Sequence, residues 1–568
     1  MKRLLTPASI GAVEVRNRVV LPSMTTRLAD EEGRVTEATL AYYLARAEGG
    51  VGLVTVEMAA PEPAGRHRRR ELGIYDDRFL LGLRRLTAAL HEAGATACIQ
   101  LGHGGGHTRR DICGETPIAP SAVPHDVLEI TFETIVPEAM TAERIEATTR
   151  AYVAAAARAA AAGFDMVEIH AAHGYLISQF HTPAENRRLD LYGGSLENRA
   201  RFGLDILKQT KAALPGLPVI YRLTVDDFFP GGLTFEEGRT IALWAAEAGA
   251  DAIHVTAGHY RSLPSAMRMT PPMAEPEAPF LDFARTIRGD VEVPVIAVGR
   301  LGDPGIALAA VEEGACDFVA LGRPLIADPD WVRKVAKGLP VRRCIACNTC
   351  INEMRGGAGI GCLVNGRAGR EAELPLASPL RGERIAVLGA GPAGLSFADL
   401  VADTNEVTIF ERESACGGAL LLAAKAPVFQ EVEAAEAPIR AYVADLEASL
   451  RQRGVRFEMG VDGLLDRKRL SGFDRVVVAT GARYRFGLGP LLRFILERGL
   501  GRTALARRLF AASGLRDWLY HRARLPRGAP DDVAPRLVVI GDAGAAGTAR
   551  PAIASAFEAA LRSEETRS

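Results

Sequence analysis

Short apolar runs alternate with longer helical patterns over the first 325 residues of the chain. Eight such runs recur, and none shows the strict apolar–polar alternation of a strand with one face in water. Runs of this kind are typical of parallel strands that are buried on both faces. The runs are Val19–Ser23, Val51–Val56, Ala95–Leu101, Met166–His170, Pro218–Leu223, Ala252–Thr256, Pro294–Val298 and Phe318–Leu321.

Alanine-rich helical stretches separate several of these runs, for example Ala142–Ala162 and Phe235–Ala248. Eight strand-then-helix units in a row predict an α/β fold of the (β/α)8 TIM-barrel type. A doubly wound sheet is the alternative, which the regular spacing disfavours. In a barrel the chemistry lies where the strands end and the loops begin.

A second pattern begins after residues 371–381, whose prolines indicate a linker. Arg384–Leu388 predicts a strand, Gly389-x-Gly391-x-x-Gly394 a tight turn, and Ala393–Ala402 a helix. The next predicted strand, Val407–Phe410, ends at Glu411. Together these features form a dinucleotide-binding fingerprint of the Rossmann type. Further buried strands are predicted at 475–481 and 537–542.

Net charge is −1 and the isoelectric point is about 6.9, so the whole chain carries no strong field toward nucleic acid or a membrane surface. No secretory leader and no apolar run of the roughly 18 residues that a spanning helix needs is recognisable. These features predict a cytoplasmic protein.

Half of the eight cysteines lie in one short run, Cys344-x2-Cys347-x2-Cys350-x11-Cys362. Such clustering favours a metal site in a reducing compartment over scattered disulfides. Three thiolates on short loops and a more distant fourth suit an iron–sulfur cluster. A zinc ribbon is the alternative, although its usual second C-x2-C pair is missing.

Glycine–arginine pairs follow the last two predicted barrel strands, at Gly299-Arg300 and Gly322-Arg323. Glycines expose backbone N–H groups and arginines add positive charge, a combination that binds phosphate. The sequence therefore predicts a nucleotide-like cofactor in the mouth of the barrel.

Several motifs together resemble those of the long NADH:flavin oxidoreductases with an old-yellow-enzyme barrel. This group includes 2,4-dienoyl-CoA reductase, trimethylamine dehydrogenase and bile-acid enone reductases. The motifs are Arg18-Val-Val-Leu-Pro-Ser-Met-Thr-Thr, Glu168-Ile-His-Ala-Ala-His-Gly-Tyr, Asn186-Arg-Arg-x-Asp-x-Tyr-Gly-Gly-Ser, the cysteine run and Gly389-Ala-Gly-Pro-Ala-Gly.

The resemblance implies three redox groups: FMN, a [4Fe-4S] cluster on Cys344, Cys347, Cys350 and Cys362, and FAD or its ADP portion. The implied FMN contacts are Ser23, Met24, Thr25, Gln100, Arg222, Gly299, Arg300, Gly322 and Arg323. The implied FAD or ADP contacts are Gly389, Ala390, Gly391, Gly394, Glu411, Gly418, Lys425, Gly541 and Asp542. The expected parts are an FMN barrel over 1–335, a cluster segment and linker over 336–380, and a Rossmann-like domain over 381–568.

The chain departs from this family after residue 481, where full-length relatives insert a nested NAD(P)-binding domain. Here a helical, basic insert at about 485–530 stands in its place and has no glycine fingerprint. The direct route for reducing equivalents from NAD(P)H is therefore open to question, and an electron-carrier protein is an alternative.

Candidate catalytic residues follow the fourth predicted strand. In old yellow enzymes a pair at the positions of His170 and His173 binds a substrate carbonyl oxygen, and Tyr175 stands where a proton donor is expected. His259, after the sixth strand, is a further candidate for substrate contact. The alternative is that these histidines are structural and only pack at the strand end. The charge run Arg66-His-Arg-Arg-Arg70 is expected to form a solvated loop or to meet an acidic substrate.

The resemblance implies reduction of an enone or enoyl C=C bond with NAD(P)H or carrier electrons. The alternative is an amine-type or steroid-type dehydrogenase that passes electrons through the cluster to an electron-transfer flavoprotein. A small-molecule substrate and a homo-oligomer are expected in either case, with neither nucleic acid nor a membrane as partner.

Overall fold

A closed barrel of eight parallel strands forms the N-terminal half of the computed structural model, which describes residues 2–128, 132–464, 467–528 and 536–562. The strands are β1 (Val19–Leu21), β2 (Leu53–Ala59), β3 (Thr96–Leu101), β4 (Met166–Ala171), β5 (Val219–Thr224), β6 (Ala252–Thr256), β7 (Val295–Val298) and β8 (Phe318–Ala320). Strand β8 pairs with β1 and closes the barrel. The predicted α/β fold with a TIM barrel is confirmed.

A helix follows each barrel strand along the chain. These helices are α1 (Glu37–Glu48), α2 (Leu80–Glu92), α3 (Ala142–Ala161), α4 (Leu196–Ala213), α5 (Phe235–Glu247), α6 (Leu281–Asp290), α7 (Pro304–Glu312) and α8 (Trp331–Lys337). Local sequence fixes several of their starts. Thr234 and Glu237 form a capping box at the start of α5, and Asp303 accepts the first free N–H groups of α7.

The cysteine-rich segment follows α8 and carries helix α9 (Thr349–Arg355). It is embedded in two apolar cores at once. Cys350 and Ile360 pack with the barrel core, whereas Cys347 and Leu363 pack with the core of the C-terminal half. The segment therefore lies at the junction of the two halves.

A five-stranded parallel sheet forms the centre of the C-terminal half. Its strands are β9 (Arg384–Leu388), β10 (Glu406–Glu411), β11 (Arg456–Met459), β12 (Arg475–Val478) and β13 (Leu537–Val539), and their spatial order is β11-β10-β9-β12-β13. This 3-2-1-4-5 order is that of a dinucleotide-binding sheet. Helices α10 (Pro392–Val401), α11 (Glu436–Gln452) and α14 (Ala549–Leu561) accompany it.

The insert between β12 and β13 is largely helical. Helices α12 (Leu488–Glu497) and α13 (Ala504–Ala511) are followed by a short turn of helix at Ser513–Asp517. The end of the predicted insert, residues 529 and 530, lies outside the described residues, as does 563–568. Among the helices described, none is long and apolar enough to cross a membrane.

Smaller elements surround these two sheets. Two-stranded pairs form between Ala8–Ile10 and Val13–Val15, Ile118–Ala119 and Glu138–Ala139, His125–Leu128 and Phe132–Ile135, Val428–Phe429 and Val432–Glu433, and Ala482–Tyr484 and Arg524–Pro526. Short α-helices lie at Arg110–Cys113, Leu176–His181, Leu263–Met269, Gly322–Ala327, Ala419–Ala423 and Arg467–Leu470.

A buried ion pair fastens the start of the linker that follows the cysteine-rich segment to the barrel. Arg46 of α1 donates from Nη1 to Glu371 Oε1 over 2.5 Å, and their side chains are 0% and 2% exposed. Arg46 also donates to the carbonyl of Leu325 and stacks on Tyr42. Both charges depend on each other because burial removes water from them.

Glu371→Gln should therefore destabilise the protein strongly. The substitution leaves the buried Arg46 charge without its counterion, which costs about 3–5 kcal/mol. Urea unfolding followed by circular dichroism measures the loss. Glu37→Gln is the matched control, because it breaks an exposed Arg85–Glu37 pair and should change little. Equal losses in the two variants would contradict the role of the buried pair.

Candidate active site

A cavity of about 1430 Å³ opens at the carboxyl ends of the barrel strands and extends to the cysteine-rich segment. All nine residues predicted to contact FMN line it, as do His170, His173 and Tyr175. Other lining residues include Pro22, Met58, His67, Thr256, Tyr260, Met269, Phe280, Asp303, Ile326, Arg343, Cys344, Cys350, Ile351 and Met354. The structure thus brings the separate strand-end motifs into one site.

Glu168 of β4 is the hub of a hydrogen-bond network under this cavity. Its carboxylate accepts from Gln100 Nε2 at 2.7 Å and pairs with His254 Nδ1 at 2.6 Å, while Arg222 Nη1 lies 3.8 Å away. Burial raises the pKa of Glu168, but neighbouring positive charge and hydrogen bonds outweigh it and lower the pKa below its ordinary value. Ser23 Oγ then bonds Gln100 Oε1 at 2.9 Å, which orients the amide.

His170 and His173 lie side by side at the end of β4, with ring centroids 5.2 Å apart. Burial, followed by the charge of Arg222, holds the pKa of each imidazole well below its ordinary value. Both rings are therefore neutral near pH 7. His173 Nε2 lies 3.1 Å from Thr256 Oγ1, whereas His170 Nδ1 is buried without a partner among the described residues.

Tyr175 is one of two tyrosines on the same wall of the cavity. Its ring lies 5.0 Å from that of His170 and 5.7 Å from that of Tyr260. Burial raises the pKa of Tyr175 far above its ordinary value, so that its hydroxyl keeps its proton. Burial also opposes ionisation of Tyr260, but the positive charges of Arg355 and Arg68 outweigh it and lower the pKa of Tyr260.

The charge run that the sequence assigns to a solvated loop is partly buried, so this expectation is wrong for two of its members. His67 and Arg68 are 3% and 1% exposed. Arg68 Nε donates to His67 Nε2 at 2.8 Å, so His67 carries its proton on Nδ1 and donates to Glu71 Oε1. Arg68 also hydrogen-bonds the hydroxyl of Tyr175. The run therefore supports the cavity wall.

His259, predicted to contact substrate, does not line the cavity. Its ring pairs with Glu185 at 3.4 Å and packs behind Gly174. The neighbouring Tyr260 lines the cavity instead, and its N–H donates to the carbonyl of His173. In this loop the two neighbouring side chains therefore point to different sides, and only that of Tyr260 faces the cavity.

Arg300 and Arg323 mark the end of the cavity where a phosphate is predicted. Arg300 donates to the backbone carbonyls of Pro272 and Glu275, and Arg323 donates to Asn348 Oδ1 at 2.5 Å. Gly299 has a φ of 111°, and a Cβ there would lie 2.8 Å from the Phe280 ring. Two guanidinium groups and a backbone free of side chains fit the chemistry of a phosphate group.

The four cysteines of the run line a second cavity of about 290 Å³. Cys344 and Cys350 also line the large cavity, as do Arg323 and Ile326, so the two spaces adjoin. Within the described part of the chain, no three His, Cys, Asp or Glu side chains are placed to hold a single metal ion.

The glycine fingerprint forms the turn between β9 and α10. A Cβ on Gly389, with a φ of 110°, would lie 2.5 Å from the carbonyl of Ala479, and a Cβ on Gly394 would overlap the carbonyl of Gly389. Around Gly391 the space is open, so that a ligand could approach its backbone. Gly418 packs against Gly391, with 3.3 Å between a Cβ on Gly418 and the Gly391 Cα.

Two acidic residues of this region already have partners. Glu411 Oε2 accepts from the N–H of Ala390 at 2.8 Å, and Asp542 accepts from Arg524 of the insert and from Gly547 N. Gly541 donates to Ser555, and Lys425 is half-buried at the end of the short helix Ala419–Ala423. Glu411 therefore lies beside the turn, whereas Asp542 is held by the insert.

Comparison with known proteins decides the family. The sequence profile of the NADH:flavin oxidoreductase / NADH oxidase family matches residues 3–342. The chain belongs to this family. An NADH oxidase from Thermoanaerobacter brockii is 38% identical over 490 residues, which cover 84% of this chain and 73% of that protein. A cinnamate reductase from Clostridium sporogenes is 32% identical over 85% of this chain and 75% of its own length.

The structure of a 2-naphthoyl-CoA reductase shares the fold over both halves. It superposes with a TM-score of 0.87 at 24% identity and covers 99% of each chain. Family membership makes the chain a flavin-dependent oxidoreductase and supports FMN as the cofactor of the barrel. The buried Arg222 Nε, which has no partner among the described residues, and the guanidinium groups of Arg300 and Arg323 at the far end of the cavity fit an anionic, hydrogen-bonding cofactor of this kind.

Gly174→Ala tests how tightly the loop after β4 is built. Gly174 and Gly114 share a φ of 86°, but a Cβ on Gly174 would lie 2.5 Å from His259, whereas Gly114 has nothing within 4 Å. Gly114→Ala should cost only the left-handed conformation, about 1–2 kcal/mol. We expect Gly174→Ala to cost clearly more in urea unfolding. Equal costs would contradict the steric contact with His259.

Proposed function

We propose that this chain reduces the C=C bond of an α,β-unsaturated carbonyl compound. The observation that carries the proposal is the pair of neutral imidazoles, His170 and His173, which face the same cavity as the protonated hydroxyl of Tyr175. A relative named cinnamate reductase supports an enoyl-type substrate.

His170 and His173 bind the carbonyl oxygen of the substrate. Each neutral ring can donate one N–H, and the negative charge that develops on the oxygen during reduction strengthens such bonds. Because Arg222 stands close to both rings, it adds positive potential on the same side without occupying the oxygen site. The pair therefore favours a carbonyl substrate over an amine.

Tyr175 supplies the proton for the α-carbon. Its hydroxyl remains protonated because burial disfavours the phenolate, and a general acid must hold its proton until the transfer. Arg68, which hydrogen-bonds the same hydroxyl, stabilises the phenolate left after transfer. The Glu71–His67–Arg68 chain keeps that guanidinium in place.

FMN would be held by the predicted residues that line the cavity. Gln100 and Arg222 would bind the ring edge, Ser23, Met24 and Thr25 would flank it, and the glycine–arginine pairs would bind the phosphate. When bound, FMN supplies the hydride for the β-carbon.

A [4Fe-4S] cluster on Cys344, Cys347, Cys350 and Cys362 is the second part of the proposal. Three thiolates on short loops and a more distant fourth suit such a cluster, and all four cysteines line one cavity of about 290 Å³. Its place beside the FMN cavity suits electron transfer between the two sites.

The C-terminal half is proposed to bind FAD, or only its ADP portion. Support comes from the sheet order, the open space over Gly391 and the position of Glu411 beside the turn. Asp542, which is expected to contact this ligand, is already bonded by Arg524 of the insert. The proposed division remains barrel 1–335, cluster segment 336–380 and nucleotide domain 381–568, in a cytoplasmic enzyme whose cysteines are all free.

Electrons can enter the site by two routes. NAD(P)H can bind in the barrel mouth, as a relative named NADH oxidase supports. The second candidate is a protein carrier that exchanges electrons through the cluster, in which case the chain works as a dehydrogenase. The observation in its favour is that Cys344 and Cys350 line the cavity where FMN is proposed to bind.

Tyr175→Phe should separate the two half-reactions. In anaerobic stopped-flow experiments, NADH or NADPH should bleach the flavin absorbance of the variant as fast as that of the wild type. Reoxidation by 2-cyclohexenone should slow by about 10²-fold or more, because the general acid is lost. Tyr192→Phe, outside the cavity, is the control.

A failure of both nucleotides to bleach the flavin, while dithionite still does so, would contradict the direct donor and favour the carrier. Unchanged reoxidation in Tyr175→Phe would refute its role as the acid.

Cys350→Ser should remove most iron and acid-labile sulfide but leave FMN bound. Metal analysis and electron paramagnetic resonance of the dithionite-reduced protein measure this directly. Cys416→Ser is the matched control, because Cys416 is also buried but lies outside the run. Stoichiometric zinc without iron in the wild type would exclude the cluster.

A further inference from the structure

The insert between β12 and β13 carries a concentration of positive charge. Residues 485–528 contain ten arginines and two acidic residues, a net charge of +8, whereas the whole chain has a net charge of −1. The near-neutral net charge of the whole chain therefore does not reveal how basic this segment is. Seven of the arginines are exposed, namely Arg485, Arg493, Arg498, Arg502, Arg507, Arg508 and Arg522.

The same segment concentrates exposed apolar side chains. Of the sixteen large apolar residues that are exposed in the described part of the chain, seven lie between 486 and 518. They are Phe486, Leu491, Phe494, Leu500, Leu505, Leu509 and Trp518. Single exposed apolar residues are ordinary, but a group of this density marks an interaction surface.

Helical spacing arranges these residues in stripes. Leu491 and Phe494 are three residues apart on α12 and are 54% and 53% exposed. Leu505 and Leu509 are four residues apart on α13 and are 70% and 51% exposed. Residues at these spacings share one face of a helix, so each helix presents an apolar stripe to solvent.

Other contacts anchor the insert to the nucleotide domain. Leu496 of α12 is buried, and Arg507 and Arg502 reach Glu433 and Glu436 at 3.0 and 3.6 Å. Arg498 lies over the ring of Phe494, and Arg508 stands next to Leu509. These contacts hold the two helices against the nucleotide domain, while their exposed leucine, phenylalanine and arginine side chains remain in solvent.

We propose that this insert binds the surface of an anionic lipid bilayer. Helices that lie in a membrane interface combine leucine, phenylalanine and tryptophan on one face with arginine or lysine around it. Carboxylates of the nucleotide domain already pair with Arg493, Arg502 and Arg507. Headgroup phosphates complement the exposed arginines outside these ion pairs, which are Arg485, Arg498, Arg508 and Arg522, and the apolar stripes enter the acyl boundary. With 10 and 8 residues, α12 and α13 are too short to span a bilayer of roughly 20 helical residues, so they lie on it.

The test uses the full-length, cofactor-loaded protein and vesicle flotation. We expect at least tenfold more binding to vesicles that contain phosphatidylglycerol than to phosphatidylcholine vesicles, with weakening at high salt. The double variant Leu505→Glu/Leu509→Glu should lose at least tenfold of the anionic binding. Arg498→Gln/Arg508→Gln, which keeps the stripes, should lose part of it.

Leu189→Glu/Leu191→Glu is the matched control. These two leucines are 101% and 68% exposed on the barrel half, so the variant makes the same change in charge and apolarity elsewhere. Retention of binding by the control, with unchanged flavin content in all variants, supports the proposal. Equal binding to both vesicle types, equal losses in the two double-glutamate variants, or a dimer that the Leu505/Leu509 variant dissolves would overturn it.

Discussion

One buried carboxylate, Glu168, constrains the whole floor of the active site. An ionised group without water must be satisfied by hydrogen bonds and opposite charge. Its partners come from neighbouring strands on both sides: Gln100 on β3, Arg222 on β5 and His254 on β6. Four adjacent barrel strands therefore meet at one anion. Because Gln100 and Arg222 are held there, their outer atoms face the cavity in a fixed arrangement.

Burial and neighbouring charges also set the protonation of the residues that line the cavity above Glu168. Arg222 and the lack of water keep His170 and His173 neutral, so that they act as hydrogen-bond donors without a net charge of their own. Next to His170, the Glu71–His67–Arg68 chain directs a permanent positive charge at Tyr175. In the proposed reaction, the neutral imidazoles suit a neutral carbonyl in the ground state, and the arginines would stabilise the charges that appear only during reaction.

The sequence predicts the barrel well because all eight strands are buried and mostly apolar without strict alternation, a pattern that is visible without knowledge of tertiary contacts. Strand β11 is not predicted from the sequence. Arg456–Met459 lies at the edge of its sheet, and alternate residues face solvent, so its apolar signal is weak. For the insert, the sequence predicts the secondary structure but not which side chains are exposed. Its helical and basic character is visible in the sequence, but which leucines remain exposed depends on how α12 and α13 pack.

The site shows where motif reading ends. Residues at strand ends converge by topology alone, which is why the predicted residues from Ser23 to Arg323 reach one cavity. In the loop after β6, however, the sequence does not show that Tyr260 rather than His259 faces the cavity. There the Tyr260 N–H donates to the His173 carbonyl, and the His259 ring pairs with Glu185. The burial of Arg68 was not predicted, for a different reason. A run of four arginines suggests solvent, whereas the buried Arg68 donates from its side-chain Nε to His67 Nε2 and from its backbone N–H to Glu71. A basic run that is followed directly by an acidic residue, as Arg66–Arg70 is by Glu71, can therefore form a buried hydrogen-bond network and not only a solvated loop.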